Sequence, residues 1–182
     1  MPKTRIVKEP DAVLRKQAEA VKKEEFSSKK LREIIENMSS ALCNTEDGIG
    51  IAAPQIGISK RIFLASEEAL AIDKELENPD ARFENKKEKN KAWQYYTFIN
   101  PEILKVSAKK SAGAEGCLSV PKKYGDVPRA EKIRVRAYDE NGKVFERGAT
   151  KLFARLLQHE IDHLNGILFI DKAANLRKVD SK

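Results

Sequence analysis

The chain contains two histidines, and both fall within one stretch, His159-Glu160-Ile161-Asp162-His163. Residues four apart stand one turn apart on the same face of a helix, so two imidazoles at this spacing can grip a single ion. The glutamate between them lies close enough to move protons beside that ion. The surrounding pattern predicts a helix over 151–164, with Thr150 as its cap and Asn165-Gly166 as its stop. At the helical period, Leu152, Leu156, His159 and His163 share one stripe, which turns both histidines toward the interior. Glu160 lies on one flank of that stripe and Asp162 on the other. Buried polar groups need partners, and a metal would satisfy them. The alternatives are a hydrogen-bonded pair of core histidines or a chance match to a short pattern.

A catalytic site of this kind needs a third protein ligand and one open position. In the pattern that adds a third histidine downstream, Gly166 suits the pattern's glycine but Phe169 stands at the ligand position. A glutamate from a later helix is also missing, since the acids beyond Glu160 are Asp162, Asp171 and Asp180. The search therefore turns upstream, to a cysteine or a carboxylate. Of the two cysteines, Cys117 in Glu115-Gly116-Cys117-Leu118-Ser119 is the better candidate. A thiolate is a strong ligand for a divalent transition metal, and the adjacent glycine lets backbone approach closely. The competing reading is a small apolar residue in a strand. Cys43 adjoins the apolar stripe Leu31, Ile34, Ile35, Met38 and Leu42 of a helix predicted over 28–42, and reads as structural.

Gly48-Ile49-Gly50-Ile51-Ala52-Ala53-Pro54-Gln55 matches a dinucleotide fingerprint superficially. The context rejects it, because a polar turn precedes the segment and Pro54 would interrupt the helix that should follow. The better use is a wall of small residues along a cleft, with Gln55 able to donate to an oxygen that gains negative charge. A glutamine in a turn is the plain alternative.

The rest of the pattern bounds the architecture. Strands are expected at 61–65, 95–99 and 103–106, with Asn100-Pro101 turning the chain, and at 132–138 and 143–148, joined by Asn141-Gly142. Strands grouped ahead of a helix predict an α+β fold, and 182 residues without an internal repeat predict a single domain, residues 1–182. Residues 66–92 are rich in Glu, Lys and Asn and read as a charged, solvated insertion, partly helical near 67–76 and mobile beyond. No apolar run is long enough to span a bilayer and the first residues lack a signal-peptide core, so a cytoplasmic protein without a membrane role is expected. Two cysteines cannot form a disulfide framework. The net charge of +7 favours encounter with polyanions, but the basic residues are scattered among acids, which speaks against specific DNA or RNA recognition.

Taken together, residues 48–55, 115–119 and Gln158-His159-Glu160-Ile161-Asp162-His163 resemble the three motifs of the peptide deformylases, in the family's order. The likeness runs from Pro10-Asp11 to about Asp171. It implies antiparallel strands packed around a central metal-binding helix. It also implies removal of the formyl group from N-formyl-methionyl nascent peptides, with release of formate. On this resemblance Cys117, His159 and His163 are the metal ligands and Glu160 is the acid/base. Gln55 and the backbone N–H of Leu118 would be the oxyanion donors. Backbone around Ile49, Gly50, Gly116 and Leu118 would bind the substrate as an added strand. The family's usual metal is Fe(II), and zinc, nickel or cobalt can take its place. Transient ribosome association is a further expectation. The chain departs from compact members in the length of 66–92, and its end leaves no room for the long C-terminal helix that some members carry. The rival readings are a small metalloprotease and a catalytically silent binding protein with a closed structural metal site.

Overall fold

The structure, a computed structural model, describes residues 4–77 and 94–179. The first α-helix among the described residues is amphipathic, α1 (Lys29–Cys43). Ser28 caps it by accepting from the Leu31 N–H, and Leu31, Ile34, Met38, Ala41 and Leu42 are buried along one face. Cys43 ends the helix exposed, with its Sγ 2.8 Å from the Tyr95 hydroxyl. Two antiparallel sheets follow among the described residues. The larger has the order β1-β2-β3-β6-β7, formed by β1 (Gly50–Ala52), β2 (Ile62–Ser66), β3 (Tyr95–Val106), β6 (Lys132–Tyr138) and β7 (Val144–Thr150). The smaller has the order β4-β5-β8, formed by β4 (Lys110–Cys117), β5 (Val120–Ala130) and β8 (Ala174–Lys178).

Helix α3 (Lys151–Leu164) packs against strands of both sheets. Phe153, Ala154, Leu157, Ile161 and Leu164 fill the core with Phe63, Phe98, Val135 and Ala137. Each large side chain buried this way contributes roughly 1.5–3 kcal/mol. A second cluster seats α1 on Ile51, Ile62, Leu64 and Ile99, and a third gathers Leu14, Val120, Val127, Leu168 and Phe169 behind the end of α3. The expected α+β arrangement around a central helix is present.

Several local expectations need correction. Asn100-Pro101 does not turn the chain: β3 runs through it with a break in register. Asn100 adopts φ 49°, a conformation asparagine tolerates, and its amide both donates to and accepts from the backbone of Val21 at 2.8 Å. Pro101 sits where the ladder is already irregular and its missing N–H costs little. The hairpin at Asn141-Gly142 forms, but Tyr138 pairs with Val144 across a loop of residues 139–143, and only Gly142 has positive φ there. Asp139 holds that loop by accepting from the N–H groups of Asn141 and Lys143, both at 2.9 Å.

The start of α3 differs too. Thr150 occupies the cap position without a capping side-chain hydrogen bond. The carboxylate of Asp73 accepts instead from the N–H groups of Leu152 (3.0 Å) and Phe153 (3.2 Å). Asp73 belongs to α2 (Glu68–Glu77), so the beginning of the charged segment is not merely solvated. Ser66 is buried at the end of β2, and Ala69 and Leu70 pack on the main core. The remainder of the expected insertion, 78–92, lies outside the described residues.

Helix α3 ends as its sequence predicts. Gly166 takes φ 73° and donates to the His163 carbonyl, while Ile167 donates to the Asp162 carbonyl, the paired bonds of a Schellman stop. Beyond it the chain forms edge strand β8 rather than a long helix. No helix among the described residues is long and apolar enough to cross a membrane.

Candidate active site

Three elements converge on one cleft of about 410 Å³. Its first wall is residues 47–50 with Gln55, its second is residues 114–118 with Tyr124, and its floor is the Leu152, Arg155, Leu156, His159 and Glu160 face of α3. Strand β1 is an edge of its sheet and leaves one side of its backbone toward this cleft. Gly50 lets α3 approach closely: an added Cβ would lie 2.7 Å from Glu160 Oε1 and 2.6 Å from a Leu156 methyl, and both side chains would have to shift. The Ile49 carbonyl already accepts from the Ser66 N–H at 2.8 Å, so further bonding there uses its second lone pair.

Strand β4 delivers the cysteine and α3 the two histidines. One ligating atom from each of Cys117, His159 and His163 falls within 4.8 Å of the others, and Cys117 Sγ lies 3.2 Å from His163 Nε2. His159 Nδ1 is 2.9 Å from Glu115 Oε2, which fixes the ring and leaves Nε2 directed to the cluster. One thiolate and two imidazoles suit a divalent transition ion with an open position. The protein's own charges already prepare the donors. Burial opposes ionisation of Cys117, but His163 and His159 outweigh it and hold the thiol well below its usual range. His159 shows the reverse: burial lowers it, Cys117 and Glu115 raise it more, and it reaches about 10. Metal binding to such a cluster displaces protons.

Glu160 is buried beside the three donors, and its Oε2 has no hydrogen-bond partner, nor has Nδ1 of His163. Burial raises Glu160 to about 7, against the downward pull of both histidines. A carboxyl near neutrality in a cleft can take and return a proton.

Gln55 sits on the 3-10 turn Ala53–Ile56 that follows β1 and is 1% exposed. Its Oε1 accepts from the Ala52 N–H at 2.8 Å, which directs Nε2 toward Cys117 Sγ (3.5 Å) and Ser119 Oγ (3.3 Å). Leu118 follows Cys117 at the turn between β4 and β5, and its carbonyl accepts from Lys8 Nζ. The structure therefore brings together every site residue expected from the sequence.

The groups behind the donors are not announced by the sequence motifs. Glu115 is more than a motif residue: burial, which would raise it, is overcome by Arg129 and His159, and its carboxyl is held down at about 2. Arg129 donates from Nε and Nη2 to both Glu115 oxygens at 2.9 Å and from Nη1 to Asp162. Lys172 completes that array at 2.7 Å from Asp162. One signal was available: alternate residues of a strand share a face, which places Glu115 beside Cys117.

Two histidines from a helix and a cysteine from a strand, set in a cleft edged by an open strand, form a candidate metal-dependent hydrolytic site. A family model described as polypeptide deformylase matches residues 3–179. The peptide deformylase of Symbiobacterium thermophilum is 42% identical over 174 residues, spanning 96% of this chain and 68% of that one. That of Syntrophomonas wolfei is 40% identical and covers 94% of both chains. The crystal structure of peptide deformylase from Thermotoga maritima superposes with a TM-score of 0.76 at 33% identity, covering 96% of this chain and 99% of that one. The chain belongs to the polypeptide deformylase family, whose members remove the N-terminal formyl group from nascent polypeptides in a metal-dependent reaction.

Proposed function

We propose that Cys117, His159 and His163 hold the ion, that Glu160 is the acid/base, and that Gln55 and the Leu118 N–H stabilise the oxyanion in formyl removal from formyl-methionyl peptides. The observation that carries this reading is Glu160 Oε2, buried without a partner beside a Cys-His-His cluster. Held by these three donors, a divalent ion would supply Lewis acidity for the hydrolysis. Glu160 takes a proton from the water as its oxygen bonds to the formyl carbon. The Gln55 Nε2–H and Leu118 N–H donate to the formyl oxygen as it gains charge. Glu160 then passes the proton to the departing amine, the C–N bond breaks, and formate and a free N-terminus result.

Substrate backbone runs between Ile49 and Gly50 on one wall and Gly116 and Leu118 on the other, as an added strand. The support is the open edge of β1 and the position of all four residues around the cleft. A related enzyme from Acinetobacter baumannii, solved with Met-Ala-Ser bound, superposes with a TM-score of 0.74 at 32% identity, covering 92% of this chain and 97% of that one. A tripeptide beginning with methionine is the kind of product this cleft would release.

Fe(II) is the proposed resident ion, with zinc, nickel or cobalt as substitutes, since one thiolate and two imidazoles accept each of them. The cytoplasm is the proposed compartment and the ribosome a transient partner, supported by the net charge of +7. The reading as one domain spanning residues 1–182 rests on the shared core around α3.

Anaerobic assay of the Fe(II)-loaded protein on formyl-Met and acetyl-Met peptides, with formate detected, tests the activity. Turnover confined to the formyl peptide is expected. Equal turnover of both, or of neither, would overturn the reading. Cosedimentation with ribosomes that weakens as salt rises is the expected result for the partner, and an absence of salt-sensitive binding removes it.

A further inference from the structure

The three donors come from two elements, so the shape of the cluster depends on how β4 sits on α3. Arg155 ties the two together. It lies one turn before His159 on α3, and its guanidinium crosses to the small sheet. There Nη1 donates to Glu115 Oε1 (2.9 Å), the Val127 carbonyl (2.7 Å) and the Gly113 carbonyl (3.2 Å), while Nη2 donates to the Ser111 carbonyl (2.8 Å). Space is reserved for this group: a Cβ on Gly113 would meet its Cζ and Nη2 at 2.9 Å. Glu115, whose side chain is 4% exposed, thus joins Arg155 through one oxygen and His159 through the other.

We infer that Arg155 is a positioning residue for the metal centre, acting on His159 through Glu115. A planar fork can reach three strand carbonyls and a carboxylate at once, which a lysine ammonium cannot match. Outer-shell partners of ligating histidines commonly change metal affinity by about 10–100-fold. Arg155 is itself only 13% exposed, so its removal leaves strand carbonyls and Glu115 short of donors rather than opening them to water. This inference rests on the proposed ligand set.

The test uses the full chain loaded with Co(II), whose visible absorption reports coordination geometry, and times metal release to a chelator. Arg155→Leu is expected to speed release about 10-fold or more and to alter the Co(II) spectrum. Gly113→Ala displaces the guanidinium without removing any charge and is expected to act in the same direction, less strongly; it serves if Arg155→Leu does not fold. In a double-mutant cycle with Glu115→Gln, the two effects should fail to multiply, because both act through one carboxylate. Wild-type release rates in folded Arg155→Leu and Gly113→Ala would overturn the inference. So would effects that multiply fully with Glu115→Gln, since Arg155 would then be a structural brace alone. Wild-type protein that retains no Co(II) would instead sink the ligand set.

Discussion

Glu160 and Asp162 lie two residues apart on α3, both are buried, and they meet opposite surroundings. Glu160 faces the cleft with an unpartnered oxygen and is raised by burial to about 7. Asp162 faces the back of the helix, clasped by Arg129 and Lys172. One acid is left free to exchange a proton; the other is spent on holding ligand helix and sheet together. The contrast teaches that burial alone does not mark a reacting group. What marks Glu160 is burial that its neighbours do not fully offset, with one oxygen left without a partner.

The largest effect expected on this contrast is at the cleft. Glu160→Ala should retain metal, measured by elemental analysis, and lose about 10²–10⁴-fold in kcat. Next, Asp162→Asn should weaken the contacts to Arg129 and Lys172, leaving Arg129 with Glu115 as its carboxylate partner, and destabilise the fold by roughly 1.5–3 kcal/mol in denaturant titration. Equal losses of activity and stability in both variants would erase the distinction between the two acids.

The third prediction reverses the sign. The folded-state value of Glu160, about 7, lies above its ordinary value of 4.5. The protonated acid therefore favours the fold below the ordinary value, and that contribution disappears as pH rises through the folded one. Metal-free Glu160→Gln should be more stable than metal-free wild type above pH 7 by on the order of 2–3 kcal/mol, with the gap closing in acid. A gap independent of pH would show that Glu160 is compensated after all. The smallest effect belongs to the far end of the same helix: Asp73→Ala should cost about 1 kcal/mol, seen as a lowered melting temperature.

The sequence was most legible where chemistry is local. The bounds of α3, its inward histidines and its glycine stop follow from residues adjacent to one another, and the arithmetic of missing ligands led upstream to Cys117. Legibility failed where a partner is distant or a strand lacks alternation. Strand β4 is rich in small residues because Arg155 and Tyr124 lie across Gly113 and Gly116, so it carries no apolar period. Asp73 caps a helix that begins far along the chain, and no local pattern announces it. The pairing of Glu115 with Arg129 joins two strands whose register the sequence does not state.

The separation of donors between β4 and α3 also sets an order of events during synthesis. A ribosome releases β1 and Gln55 first, Cys117 well after them, and the histidines later still. On the proposed ligand set, a chain that stops before His159 has the cleft wall but lacks two of the three donors. If Cys117, His159 and His163 hold the ion as proposed, it can be held only after the last turns of α3 have been made.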